Sequence, residues 1–288
     1  MTGTPSPETV STKQQRIAEL ARDCPDMAFT NLAHHIDLEW LHTAYVKTRK
    51  DGAVGVDGQT ADDYEINLMG NLQDLLDRAK SGTYVAPPVR RVYIPKAGSP
   101  DETRPLGIPT FEDKILQRAV LMVLQPIYET DFLDVSYGFR PGRDAHGALD
   151  SLWKHAMNMG CGWIVDVDLR KYFDTIDHGH LREFLKRRVR DGVILRLIGK
   201  WLNAGVMEDG AFTASETGTP QGGVVAPPTM LRITLLGAPF KRGWTDPIHD
   251  ADLLLVDLDL LHQGPNDLPP RAPVRPLQLL GHASRELF

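Results

Sequence analysis

The strongest pattern of apolar and polar positions is a helical one that follows Thr110. Seven apolar residues recur there at spacings of three and four positions: Ile115, Leu116, Ala119, Val120, Val123, Leu124 and Ile127. This spacing puts them on one helix face, and threonine is a common helix N-cap. The pattern predicts a core helix that begins behind Thr110.

Weaker helical patterns lie on both sides of it. We expect one helix that begins after Asp37 and stops at Asp51, and a second from Tyr64 to Lys80 that stops at Gly82. Apolar spacing over residues 181–201 predicts two further helices.

Two segments have strand character. Residues 90–110, RRVYIPKAGSPDETRPLGIPT, place two short β-branched runs around a polar segment, which predicts a hairpin with a long loop. Residues 163–178, WIVDVDLRKYFDTIDH, read as strand, turn and helix. On a strand, Asp166 and Asp168 share one face, roughly 6.5 Å apart. Burying carboxylates costs several kcal/mol unless they are paired, so this segment is a candidate site.

Composition indicates a soluble globular protein. The 288 residues are 42% hydrophobic and 24% charged, which suits one large domain or two subdomains. No apolar run approaches the roughly 20 residues of a membrane span, and the first 15 residues lack a signal-peptide pattern. We therefore expect a cytoplasmic protein that does not contact membranes. Cys24 and Cys161 are far apart in sequence and have no neighbouring Cys or His, which argues against a disulfide framework or a zinc site.

The net charge of -6 argues against nucleic-acid binding when taken alone. Its distribution argues the other way, because residues 180–200 carry seven basic side chains against two acidic ones. This cluster is a candidate phosphate-contacting patch that includes Arg187 and Arg188, and binding through it would weaken with salt. A solvated helix face explains the same local pattern equally well.

Five sequence blocks stand in a definite order: GAVGVDG at 52–58, RVYIPK with RPLGIP over 91–109, SYGFRPGR at 136–143, WIVDVDLRKYFDTIDH at 163–178 and GTPQGG at 218–223. Each block alone has an ordinary explanation as a turn, a cap or a charged loop. In this order they resemble the successive blocks of group II intron-encoded reverse transcriptases/maturases, from Leu38 to Val225. An unrelated Mg²⁺-dependent α/β enzyme would require the order to be coincidental.

The resemblance implies an α+β fold with right-hand polymerase fingers and a partial palm, in which an antiparallel sheet packs with helices. We expect a disordered N-terminus at 1–12, an N-terminal helical extension at 13–86 and the fingers and partial palm at 87–225. A Pro-rich divergent tail that orders poorly would occupy 226–288.

The resemblance also implies RNA-directed DNA polymerase activity with two metal ions and Mg²⁺ as the cofactor. Asp168 would be the catalytic metal ligand, joined by the backbone carbonyl of Leu169. For Asp166 the alternatives are a third metal ligand or an ion pair with a neighbouring Lys or Arg.

The remaining blocks would hold the nucleotide. Lys96 and Arg104 would grip the triphosphate, and Phe173 would guard the sugar 2′ position. Gln221 and Gly222 would lie against the new base pair.

The implied partners are an RNA template or intron RNA, a DNA primer and dNTPs, with a maturase role and an unknown oligomeric state. Arg140 and Arg143 would contact phosphates. The alternative for the SYGFRPGR block is a helix N-terminal cap with a Tyr/Phe pair in the core. Asp174 and Asp177 are better explained as helix caps.

The resemblance breaks after Ala226. Family members continue there with a small-residue helix and later a Tyr-Ala-Asp-Asp turn, and no such turn occurs before Phe288. Residues 226–288 hold nine of the 21 prolines. We expect a chain truncated after GTPQGG, with a tail from a shifted reading frame. A catalytically inactive, RNA-binding remnant is therefore the alternative function.

Overall fold

Helices build the N-terminal part of the fold. A computed structural model describes residues 9–96, 99–158 and 172–219. Its first helix, α1, spans Val10–Asp23, with the side-chain oxygen of Thr9 accepting from the backbone N–H of Thr12. Val10 is buried. Residues 10–12 are therefore helical, which corrects the expected disorder up to residue 12.

Two predicted helices are present with altered bounds. Helix α2 spans Leu38–Lys47 behind the predicted Asp37 cap, and it ends before Asp51. The second predicted helix is divided into α3 (Ala61–Glu65) and α4 (Leu68–Ser81). Gly82, at φ +86°, ends α4 in the left-handed region that favours glycine.

Helix α5, Phe111–Glu129, is the central helix that the 3-and-4 spacing predicts. Thr110 caps it by accepting from the backbone N–H of Asp113 at 3.2 Å. Helices α1 and α2 pack against α5. Trp40 of α2 is fully buried there, and its indole N–H donates to the carbonyl of Ala119 at 3.0 Å.

In the described part of the chain, a four-stranded sheet contains the predicted hairpin. Strands β1 (Val89–Lys96) and β2 (Ser99–Ile108) pair antiparallel and occupy most of the segment expected to be a loop. Strands β3 (Val206–Glu208) and β4 (Ala211–Thr213) complete the order β2-β1-β3-β4. The sheet is mixed, not antiparallel as predicted, because β3 pairs parallel to β1. The helices between β2 and β3 bring the chain back in the same direction.

Besides α5, four helices of the described residues lie between the hairpin and β3. They are α6 (Ala145–Asn158), α7 (Tyr172–Thr175), α8 (His178–Arg188) and α9 (Gly192–Leu202). The last two confirm the helices predicted over residues 181–201. Helix α9 packs against α8 and α4.

The α+β class is confirmed. The expected tail at 226–288 lies outside the described residues. Within the described ranges, no helix combines the length and apolar character needed to cross a membrane.

Candidate nucleotide-binding site

Two of the five sequence blocks meet at α7. The backbone N–H of Thr219 donates to the carbonyl of Phe173 at 2.7 Å, and that of Gly218 donates to the carbonyl of Ile176 at 2.8 Å. The Gly218 carbonyl lies 2.6 Å from Nε2 of His178. These contacts fix the start of GTPQGG against the end of WIVDVDLRKYFDTIDH. We call the pair of backbone segments at 173–178 and 217–219 the α7 junction.

The α7 junction is anchored in the hydrophobic core. Ile176 is buried, and the half-buried Phe173 ring packs against the core. Gly218 has φ +77°, a conformation that suits glycine, so this turn depends on the residue type found in the GTPQGG block. The junction is therefore a fixed point of the fold.

Asp177 has the structural role that the sequence predicted. Its Oδ1 accepts the backbone N–H of His180 at 2.7 Å and caps α8. The same hydrogen bond holds the pKa of Asp177 below its ordinary value. The Asp177 carboxylate is therefore engaged in capping α8.

The predicted metal ligands Asp166, Asp168 and Leu169 lie outside the described residues. The same holds for Gln221 and Gly222 and for the side chain of Asp174. Among the side chains that the structure describes, no group of three or more His, Cys, Asp or Glu residues could hold a metal ion.

The hairpin carries the residues predicted to grip the triphosphate. Arg104 is exposed on β2, opposite Ile94 of β1. Lys96 is the last residue of β1, two positions beyond Ile94, and its side chain lies outside the described part. The backbone therefore puts both cationic positions near the tip of the hairpin.

The GAVGVDG loop is tied to the base of this hairpin. Arg90 of β1 donates to the carbonyl of Val54 at 2.7 and 2.9 Å, and Lys114 of α5 donates to the carbonyl of Ala53 at 2.6 Å. A Cβ at Gly55 would lie 2.5 Å from Cα of Thr110, so the loop approaches the α5 cap too closely for any other residue. Arg90 and Lys114 were not predicted as site residues, because no local pattern links them to a loop so distant in sequence.

Arg140 is committed to the fold. It is 8% exposed, forms an ion pair with Glu129 at 2.6 Å and donates to the carbonyls of Leu133 and Ser136 at 2.8 Å each. These contacts engage its guanidinium within the fold and speak against the predicted RNA contact. Arg143 is more open: it lies over the Tyr137 ring and pairs with Asp134 at 3.3 Å.

The neighbouring Arg187 and Arg188 have different environments. Arg187 is exposed, with its guanidinium 5.1 Å from the Phe184 ring centroid. Arg188 is 7% exposed and donates to four backbone carbonyls, those of Ala21, Cys24, Pro25 and Met27. It also lies 3.2 Å from Asp131. Its guanidinium serves the fold, which corrects its prediction as an RNA contact.

Comparison with known proteins agrees with the order of the blocks. A reverse transcriptase (RNA-dependent DNA polymerase) family model matches residues 94–235, so the likeness extends beyond Ala226, where the sequence predicted a break. The chain is 39% identical over 227 residues to Protein YkfC of Escherichia coli strain K12, covering 76% of this chain and 58% of that protein. It is 36% identical over 217 residues to the group II intron-encoded protein LtrA of Lactococcus lactis subsp. cremoris, covering 74% of this chain and 35% of that protein.

Among solved structures, the chain is similar to one in a partial Cas6-RT-Cas1--Cas2 complex, with a TM-score of 0.44 and 20% identity over 69% of this chain and 33% of that one. The chain thus spans about half the length of one curated relative and a third of the other. The match to the family model and the likeness to intron-encoded proteins agree: the chain belongs to the group II intron-encoded reverse transcriptases/maturases.

Proposed function

We propose that the chain is an RNA-directed DNA polymerase of a group II intron-type retroelement, acting in the cytoplasm on dNTPs with an RNA template and a DNA primer. The observation that carries this proposal is the hydrogen bond between Thr219 and Phe173. It joins the block expected at the sugar to the block expected at the base pair. A single incoming nucleotide would require both at one place.

The division of roles among this chain's residues follows from their positions. Arg104, exposed on β2, and Lys96, at the end of β1, would donate to triphosphate oxygens, since arginine and lysine suit phosphate recognition. The Phe173 ring, held by the core on one side, would exclude a ribose 2′ hydroxyl by contact. Gln221 and Gly222 follow Thr219 after Pro220 and would lie against the new base pair.

Asp168 would orient the reacting groups together with the carbonyl of Leu169, and Asp166 is the further candidate carboxylate. Reverse transcriptases use a divalent metal, and we propose Mg²⁺. When bound, Mg²⁺ would supply charge stabilisation for nucleotidyl transfer. Magnesium prefers one or two carboxylates with substrate oxygens, which suits these ligands.

Primer extension on an RNA template with purified chain, Mg²⁺ and dNTPs tests the proposal. Asp168→Asn should reduce incorporation to background. The matched control is Asp177→Asn, because Asp177 is a carboxylate of the same segment that caps α8. It should keep most of the activity.

Equal activity in wild type and Asp168→Asn would contradict the assigned role of Asp168. Absence of incorporation by the wild type, with RNA binding retained, would replace the polymerase by an RNA-binding function. A group II intron RNA is the partner to test first in that case.

A further inference from the structure

A basic hollow of about 420 Å³ lies between α8 and α9. Its lining consists of Arg182, Leu195, Arg196, Gly199, Lys200 and Asn203. Three of these described lining residues are cationic and none is acidic. We call this feature the α8/α9 hollow.

Arg182 lies across α9 where that helix lacks a side chain. A Cβ at Gly199 would be 2.9 Å from a terminal guanidinium nitrogen of Arg182. The glycine therefore lets the guanidinium lie close to the α9 backbone. Arg182 is exposed, and its guanidinium forms no hydrogen bond or ion pair with another residue that the structure describes.

Arg196 and Lys200 stand one turn apart on α9. Lys200 Nζ donates to the carbonyl of Gly82 at 2.7 Å and to that of Tyr84, so its charge is fixed in place. Arg196 packs over Gly82, with Nε 3.3 Å from the place where a Cβ would lie. The Arg196 guanidinium has no hydrogen-bond or ion-pair partner among the described residues. Two arginines thus present free donors beside a fixed ammonium group.

Among the described residues, the acidic neighbour of Arg182 does not neutralise the hollow. Glu183 feels the charge of Arg182, but its ion-pair partner is Lys186, at 2.7 Å. Like charges held together repel one another, and an anion relieves that repulsion. Arginine guanidinium groups match phosphate oxygens in geometry as well as in charge.

We propose that the α8/α9 hollow binds backbone phosphates of RNA, with Arg182 and Arg196 as the donors. The identity of this polyanion rests on the proposed function. The hollow replaces Arg188 as the phosphate contact in this part of the chain. It has no dependence on base identity, because phosphates carry no sequence information.

The test is a binding titration of a fluorescein-labelled single-stranded RNA followed by anisotropy at several salt concentrations. The variant is Arg182→Gln with Arg196→Gln, which removes two charges from exposed side chains. The matched control is Arg22→Gln with Arg190→Gln, which removes two charges from exposed side chains outside the hollow and leaves the pair of Lys186 with Glu183 intact. Circular dichroism of both variants verifies folding.

We expect the hollow variant to weaken RNA binding about tenfold at moderate salt and to lower the slope of log Kd against log salt by about 1.4, since each lost contact is worth roughly 0.7 for single strands. The control should keep the wild-type slope. Equal losses of RNA affinity in both variants would show a diffuse basic field and overturn the proposed phosphate site. A wild-type salt slope in the hollow variant would also overturn it.

Primer extension separates this inference from the proposed function. If the wild type incorporates nucleotides and the hollow variant binds RNA as tightly as the wild type, only the proposed phosphate site in the hollow is overturned. Absence of incorporation with binding that depends on Arg182 and Arg196 would overturn only the polymerase and support the hollow.

Discussion

Trp201 donates its indole N–H to Oδ1 of Asp113 at 2.6 Å, in a place where Asp113 is 2% exposed. The hydroxyl of Tyr84 donates to the same oxygen at 2.5 Å, and Gln117 donates to Oδ2 at 3.0 Å. One carboxyl group therefore joins α5, α9 and the segment that follows α4. Burial raises the pKa of Asp113 to about 6, although the three hydrogen bonds act in the opposite direction.

This raised pKa predicts a pH-dependent stability. The ordinary pKa of an aspartate is near 3.8, so the folded protein binds the Asp113 proton more readily than the unfolded chain does. The stabilising contribution of the protonated group is complete below the unfolded pKa and is lost as pH rises through about 6. Between pH 5 and pH 7 the loss should be about 1 kcal/mol.

Urea unfolding of wild type and Asp113→Asn at several pH values measures this contribution. The free energy of unfolding of the wild type minus that of the variant should fall across the interval from about pH 5 to pH 7. Asparagine does not titrate, so it removes the proton linkage at this position. A difference that stays constant with pH would contradict the raised pKa.

Sequence predicts the local part of this cluster and misses the rest. Helix α5 and its Thr110 cap could be predicted because the apolar spacing and the cap are properties of neighbouring residues. The partners of Asp113 could not, because Tyr84 and Trp201 are 29 and 88 positions away along the chain. Nothing in the residues around Asp113 distinguishes a buried carboxylate from an exposed one.

The candidate site divides in the same way. The order of the blocks identifies the family and names Phe173, but the bond between Phe173 and Thr219 is a product of tertiary structure. Counting charges over residues 180–200 could not separate Arg187 from Arg188. Successive helix residues point in directions about 100° apart, so one neighbour can face solvent while the other faces the core.

Arg188→Ala should destabilise the protein strongly. It removes the donors to four backbone carbonyls and leaves Asp131, 3.2 Å away, without that cation. Removing one partner of a buried ion pair lowers the free energy of unfolding by about 3–5 kcal/mol. Arg187→Ala is the matched control, since Arg187 is exposed over Phe184 and should cost about 1 kcal/mol or less. Urea unfolding measures both, and similar values for the two would contradict the structural role of Arg188.

Asp191 should contribute more to the free energy of unfolding than Asp177, the aspartate that caps α8. Its Oδ1 caps α9 by accepting from Val193 and Ile194, and its Oδ2 accepts the backbone N–H groups of Leu32 and Ala33 at 2.6 and 2.8 Å. Asp191→Ala loses a cap, worth about 1 kcal/mol, and leaves buried donors unpaired at about 1–3 kcal/mol each. We expect a total of about 3 kcal/mol or more, against about 1 kcal/mol for Asp177→Ala at the exposed cap of α8.

The two aspartates Asp113 and Asp191 should respond to pH in opposite directions. Burial raises the pKa of Asp191, but the backbone hydrogen bonds outweigh it and hold that pKa below its ordinary value. The stability that Asp191 supplies is present above the unfolded pKa and lost as pH falls through the folded pKa. The gap between wild type and Asp191→Ala should therefore narrow below about pH 4. A gap that widens in acid would contradict this assignment.

Phe173→Ala should relax the choice of sugar in primer extension. The half-buried ring is held by the core, and its own carbonyl accepts from Thr219, so the ring has a fixed position beside GTPQGG. Removing it takes away the group that would contact a ribose 2′ hydroxyl, and contacts of this size discriminate roughly tenfold or more. The measurement is the ratio of rNTP to dNTP incorporation on one RNA template. Phe184→Ala, which removes another half-buried phenyl ring from α8, should leave that ratio unchanged. An unchanged ratio in Phe173→Ala, with dNTP incorporation retained, would rule out Phe173 as the residue that selects the sugar.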